Sequence, residues 1–321
     1  AEAVDARACL GRRHSAAATR RRRGRREPAM TDPAHGPLLM VAATGSYVVN
    51  DTLMKLATEG LPPYETLVLR GVFAVLWGLP LVVALGYRRS LPRMFERRVL
   101  TRNLCETGGI LCYVVALANM PIADVVAISQ ITPLIVIVGA ALALGEPVGG
   151  TRMALVALGF VGAVMVAQPS ASGVSFYALL ALGNALFCAA RDLVGRRVPA
   201  FVPGLVVALS ASVVVLAGAT VAHLLLEAWQ PPDARQLLLL FGAGLFLFLG
   251  HLMLFTAYRI GPTHRVAPFF YAFTFWAMLS GLVVFGDLPN PLALAGIALV
   301  TASGLAVVLL DTRGRRPAPV A

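Results

Sequence analysis

The sequence predicts an all-α membrane protein, with ten transmembrane helices arranged as two inverted five-helix repeats. Three observations carry this expectation. Of 321 residues, 58% are hydrophobic and 13% are charged, whereas a soluble globular chain carries about 25% charged residues. The apolar residues gather into ten segments with short polar connectors, most of them near the roughly 20 residues that a helix needs to cross a bilayer core. Finally, one stretch recurs. When Ala118–Ala167 is laid without gaps on the stretch beginning at Ala257, Pro121 falls on Pro262, Gly139 on Ser280, Gly145 on Gly286 and Glu146 on Asp287. Such an internal repeat in an apolar chain is the pattern of a transporter built from two halves.

Residues 1–35 come first and form a basic, disordered tail with nine arginines in its first 26 residues and no apolar core of the kind a secretory signal has. Met30 reads as the start of the protein and residues 1–29 as a translated leader. A native basic tail on a cytoplasmic surface and a transit peptide are the alternatives. The ten segments then follow as Leu38–Leu56, Tyr64–Leu85, Val99–Asn119, Ile122–Leu144, Met153–Ala167, Val174–Val194, Phe201–Leu226, Gln236–Tyr258, Val266–Phe285 and Pro291–Leu310. All are expected to be helical, because lipid offers a backbone amide no partner. The fifth is short and needs its flanks or a thinned bilayer to span. Small residues mark where helices should approach closely: Gly139, Ala140, Ala141 and Ala143 in the fourth segment, Gly159 and Gly162 in the fifth, Gly296 and Gly304 in the tenth.

Charge sets the orientation. The connectors after the even-numbered segments and the C-terminal tail hold thirteen arginines, from Arg88 to Arg316, and those after the odd-numbered ones hold Arg235 alone. The positive-inside rule then puts both termini in the cytoplasm. With five spans in each half, the second half enters from the opposite side. The formal net charge of +11 therefore belongs to the membrane surface, and the expected partners are the lipid bilayer and a small-molecule substrate, with no nucleic acid. Heavy use of Arg, Ala and Gly points to a GC-rich bacterial genome, hence the inner membrane.

The turns Gly145-Glu146-Pro147 and Gly286-Asp287-Leu288-Pro289 each follow a helix rich in small residues. In these motifs the chain resembles the EamA-type members of the drug/metabolite transporter (DMT) superfamily, over both halves from about Gly36 to Leu310. The run Ala267–Tyr271 with Trp276 resembles the branch that includes S-adenosylmethionine and riboflavin carriers. The resemblance implies an EamA-type repeat over 36–169, a second over 170–312, and a cytoplasmic tail at 313–321.

Candidate site residues are the polar groups inside the spans, since a charge near the bilayer centre costs roughly 2.5–3.5 kcal/mol even on insertion scales. Asn50, Asp51 and Lys55 lie in the first segment. Asp51 and Arg70 reach a similar depth in neighbouring segments, so a static ion pair and a charged cavity wall that switches partners are both open. Arg102 and Glu106, four apart, form either an intrahelical pair or, with Tyr113, a stripe facing a cavity. Arg191 and Asp192 read as anchors at the membrane interface. Gln130 sits beside Pro133, which removes a backbone donor and should kink the fourth helix near the midplane. Tyr271 and Thr274 occupy the matching places in the ninth, which is therefore expected to be straighter. Phe270, Tyr271, Phe273 and Trp276 serve either packing or a platform for a planar substrate. Asn184 and His251 read as hydrogen-bonded packing residues or as members of the cavity. Glu146 and Asp287 are expected to cap the following helices.

The substrate-binding set is therefore Asn50, Asp51, Arg70, Glu106, Tyr113, Gln130, Asn184, Tyr271 and Trp276, with Pro133 as the kink and a cavity lined by helices 1, 3, 4, 6, 8 and 9. Cys9, Cys105, Cys112 and Cys188 form no CxxC pair, so neither a metal nor another cofactor is expected. The only lysine, Lys55, follows Met54 and belongs to no Walker A loop. HExxH and GxSxG are absent too, which argues against an enzyme. The expected function is secondary active transport of a small organic metabolite or drug by alternating access. A membrane-embedded enzyme or a passive channel is the alternative. A coupling ion, proton or sodium, and the oligomeric state are left open.

Overall fold

The structure is a computed structural model that describes residues 35–144, 149–168, 175–195, 197–199, 201–260 and 263–314. The N-terminal tail and the turn holding Glu146 lie outside the described residues. Everything described is helix or short connection. The helices are α1 (His35–Ala57), α2 (Pro63–Ala84), α3 (Arg97–Asn119), α4 in two pieces (Ile122–Ser129 and Thr132–Leu144), α5 (Gly150–Ala167), α6 (Phe176–Gly195), α7 (Gly204–Leu226), α8 (Ala234–Ile260), the composite α9 described below, and α10 (Pro291–Gly314). A 3-10 helix, Arg88–Phe95, joins α2 to α3.

Eight of these stretches are long and apolar enough to cross a membrane. The long helices α1 and α3 are not among them. The first carries Asn50, Asp51 and Lys55, and the second Arg97, Arg98, Arg102 and Glu106. The fifth helix gains length from its polar flank by starting at Gly150, which brings it to 18 residues. Prolines fix several starts. Pro63 opens α2, and Pro121 and Pro203 immediately precede α4 and α7, positions where a missing N–H costs nothing.

The fourth helix is interrupted between Ser129 and Thr132. Pro133 cannot donate to the Ser129 carbonyl, and the Thr132 hydroxyl donates to that oxygen instead, at 2.7 Å. The ninth is not straighter, contrary to expectation. It begins as the single turn Thr263–Val266, tightens to a 3-10 segment over Ala267–Tyr271, runs as α-helix over Ala272–Ser280 and ends as a π-turn, Gly281–Phe285. Pro268, near the start of the 3-10 segment, supplies the break that Thr274 does not. Asp287 does not cap α10. Asn290 stands immediately before the helix and accepts the Ala293 amide at 2.9 Å, while the Asp287 amide closes the π-turn onto the Gly281 carbonyl.

Packing pairs the helices as α1 on α8, α3 on α6, α5 on α10, α2 on α7 and α4 on α9, with α2 also against α8, α3 against α7, α1 against α9 and α4 against α6. The largest core cluster runs through Met54, Leu67, Val114, Leu117, Ile122 and Leu240. Outside it, Leu76, Leu104, Leu158, Val161, Leu225 and Val283 are exposed. A water-facing surface would not carry so much apolar side chain, but a lipid-facing one does.

Candidate functional site

Several of the polar groups within the bundle line one cavity of about 110 Å³. It is lined by Arg70 of α2, Glu106 and Ile110 of α3, Asn184, Cys188 and Arg191 of α6, Ala208, Ala211, Ser212 and Val215 of α7, and Leu247 and His251 of α8. Small residues on α7 bring that helix close enough to form a wall while leaving a hollow. The lining comes from helices 2, 3, 6, 7 and 8; of the set expected, helices 3, 6 and 8 take part and 1, 4 and 9 do not. Helices 4 and 9 contribute nothing to it because their buried faces meet each other, with the Gln130 amide reaching the Thr274 hydroxyl at 3.4 Å.

The site residues expected from sequence divide accordingly. Arg70, Glu106 and Asn184 face the cavity. Asp51 and Tyr113 are bonded to each other, the Tyr113 hydroxyl donating to Asp51 Oδ2 at 2.7 Å, and Asn50 Nδ2 donates to Asp51 Oδ1 at 2.8 Å. Asp51 and Arg70 make no direct contact; the oxygens of Asp51 are held instead by Tyr113 of α3 and by Asn50 of its own helix. Tyr271 is turned toward Gly304 of α10, and its buried hydroxyl has no partner among the described residues. Trp276 donates its indole N–H to the Val41 carbonyl at 3.1 Å and lies against Gly45. Neither ring lines the cavity, nor does Gln130.

Charge in the cavity is distributed unevenly. Arg102 pairs with Glu106 and also donates to Asn103 Oδ1 at 2.8 Å. Arg191 pairs with Asp192 at 2.8 Å and reaches Glu106 at 3.7 Å. Of this pair, Arg191 lines the cavity and Asp192 does not. Arg70 is 5% exposed and makes no hydrogen bond or ion pair with any described residue. His251 donates Nδ1–H to the Leu247 carbonyl at 2.8 Å, since a carbonyl can only accept, which leaves Nε2 as an acceptor when the ring is neutral. Among the described residues, no group of three His, Cys, Asp or Glu side chains could hold a metal.

Sequence reasoning missed Ser212 and Cys188 as lining residues. A hydroxyl at Ser212 in an otherwise apolar helix was the available signal. It also missed the polar closure at the far end of α2. There Glu227 accepts the amides of Tyr64 and Glu65, both at 2.9 Å, and the imidazole of His223 at 3.1 Å. Glu65 in turn accepts the Gln230 amide at 2.9 Å. Lys55, outside the cavity, donates to the Leu117 and Met120 carbonyls at 2.9 and 2.5 Å and so caps the C-terminal end of α3 from a neighbouring helix.

Residues 34–168 match the EamA-like transporter family. The riboflavin transporter of Vibrio cholerae is 29% identical over 291 residues, which is 88% of this chain and 96% of that one. The riboflavin transporter of Rhizobium johnstonii is 30% identical over 253 residues, 76% of this chain and 80% of its own. The pseudopaline exporter CntI of Pseudomonas aeruginosa is 27% identical over 277 residues, 85% and 95% respectively. A solved crystal structure with 19% identity superposes with a TM-score of 0.62, over 89% of this chain and 100% of that one, and so shares the fold.

Proposed function

Since the chain belongs to the EamA-like transporter family of the drug/metabolite transporter superfamily, and is thus a multi-pass membrane transporter and not an enzyme, we propose that it is a secondary carrier moving a small organic molecule by alternating access. The observation that carries this reading is the cavity itself. Polar side chains from five helices converge on a hollow inside a bundle whose outer surface is apolar. Groups that are costly in lipid persist where they contact a solute. The related carriers are named for riboflavin and for pseudopaline, one as transporter and one as exporter, so what they share is a small organic cargo.

The carrier comprises ten spans in two inverted repeats, 36–169 and 170–312. Two observations support this. The family match covers 34–168, one repeat's length. The helix pairings are also unchanged when each helix is exchanged for the one five places on: α1 on α8 becomes α6 on α3, α2 on α8 becomes α7 on α3, α1 on α9 becomes α6 on α4, and α5 on α10, α2 on α7 and α4 on α9 map onto themselves. The arginine asymmetry supports cytoplasmic termini, and the heavy use of Arg, Ala and Gly supports a bacterial inner membrane. The second half then carries the opposite insertion.

At about 110 Å³ the hollow is smaller than the roughly 300–1,000 Å³ of a ligand pocket. A substrate therefore enters only when the halves part. Purified protein in proteoliposomes preloaded with riboflavin should show saturable counterflow of labelled riboflavin or, failing that, of a compound that stabilises the protein in a metabolite thermal-shift screen. Non-saturable flux in the absence of counterflow would instead identify a channel.

A further inference from the structure

We propose that the substrate is an anion and that Arg70 takes its carboxylate or phosphate group. This rests on the carrier reading and adds the chemical class of its cargo. The inference comes from Arg70 being the cavity's uncommitted charge. The residue is 5% exposed, its Nε is fully buried without a partner, and it makes no hydrogen bond or ion pair with any described residue. Arginine keeps its charge and has five donors to satisfy, so a buried one without a partner is costly.

Each carboxylate that could have served is bound elsewhere. Glu106 is held by Arg102 and Arg191, and Asp192 by Arg191. Asp51 accepts from Tyr113 on one oxygen and from Asn50 on the other. The charges of Asp51 and Glu106 reach Arg70 only through space. This arrangement keeps the cation from being quenched by its own protein. Arg70 lines a hollow of about 110 Å³, with room for a group of a few heavy atoms. A planar, bidentate oxyanion is the ligand that matches the guanidinium fork. The remainder of the molecule would occupy space created when the bundle opens.

The test uses the full-length protein in detergent and needs no known substrate. In chloride buffer, Arg70→Met and Arg70→Gln should melt higher than the wild type by about 2–4 °C, because an unpaired buried charge is removed. Millimolar acetate or inorganic phosphate, at fixed ionic strength, should raise the wild-type midpoint, while acetamide should not. Both variants should lose that response, and Arg70→Lys, which keeps the charge without the fork, should retain a weaker one. A response to acetate alone assigns a carboxylate, and to phosphate alone a phosphate ester. Lower melting of both neutral variants would mean that Arg70 is a structural cation and would overturn the proposal, as would equal responses to acetate and acetamide or no response to either anion. Counterflow separates this from the carrier reading. Counterflow of a neutral compound that is undiminished in Arg70→Gln sinks the anion and keeps the carrier. An intact anion response without counterflow sinks the carrier and keeps the site.

Discussion

Asp51 commits both carboxylate oxygens to neighbours, Tyr113 across the α1–α3 contact and Asn50 beside it. Hydrogen bonds to a charged group contribute about 1.5–3 kcal/mol each, so this pair should matter to the fold as well as to transport. Tyr113→Phe should lower stability by an amount in that range. Asp51→Asn should do likewise, and the double variant should cost less than the sum, since one bond is lost in both. Additive melting-temperature changes would mean that the two residues act independently. Glu106 makes a second case. It faces two arginines, with side chains 18–25% exposed. Glu106→Gln leaves Arg102 only Asn103 and Arg191 only Asp192. A loss of about 1–3 kcal/mol, reduced by salt, is expected from chemical denaturation. At this scale the sequence revealed which side chains are polar inside a span, and Arg70, Glu106 and Asn184 do meet. It did not reveal their partners. Depth along a helix is readable from residue number, whereas azimuth depends on which helix packs where. Asp51 and Arg70 have matching depths and do not touch.

Among the elements, helix existence was legible nearly throughout, because apolar length and proline positions govern it locally. Helix irregularity was only half legible. Pro133 marks the break in α4, whereas in α9 the break comes from Pro268, six residues before Thr274, which holds the place matching Pro133. The small-residue stripes have a sharper outcome. A side-chain carbon on Gly162 would stand 2.8 Å from the Gly296 carbonyl oxygen, and one on Gly296 2.6 Å from that of Gly162. Both obstacles are backbone and cannot rotate away. Gly296→Ala should therefore force α5 and α10 apart and cost about 1–3 kcal/mol, read as a lower melting temperature in detergent. Gly149→Ala, with open space around it, is the control. The polar end of α2 yields another prediction. Glu227 accepts two first-turn amides of that helix, where a negative charge is also favoured by the helix dipole. Glu227→Gln keeps one acceptor oxygen and loses the charge, so hydrogen exchange at Tyr64 and Glu65 should accelerate while the rest of α2 stays protected.

For the whole molecule, the pairing scheme and the charge asymmetry make one demand together. If the halves rock about the cavity, a residue lining it must be reachable from one side of the membrane at a time. Cys188 is such a residue and is native. It lies one turn from Arg191, toward the arginine-rich end of α6. The other cysteines are Cys105, Cys112 and Cys9, and serine at all three leaves a single reporter. In oriented membranes, an impermeant thiol reagent should label Cys188 from the face that carries the connector arginines. Toward the opposite face, Glu65 and Glu227 tie the start of α2 to the segment after α7; if this tie closes that face, labelling from there should be slow and limited by its opening. Glu227→Gln, which weakens the closure, should accelerate labelling from that side and leave the arginine-rich side unchanged. Equal, fast labelling from both faces of the unmodified protein would describe a continuous pore, and no rocking motion would then be needed to explain passage through it.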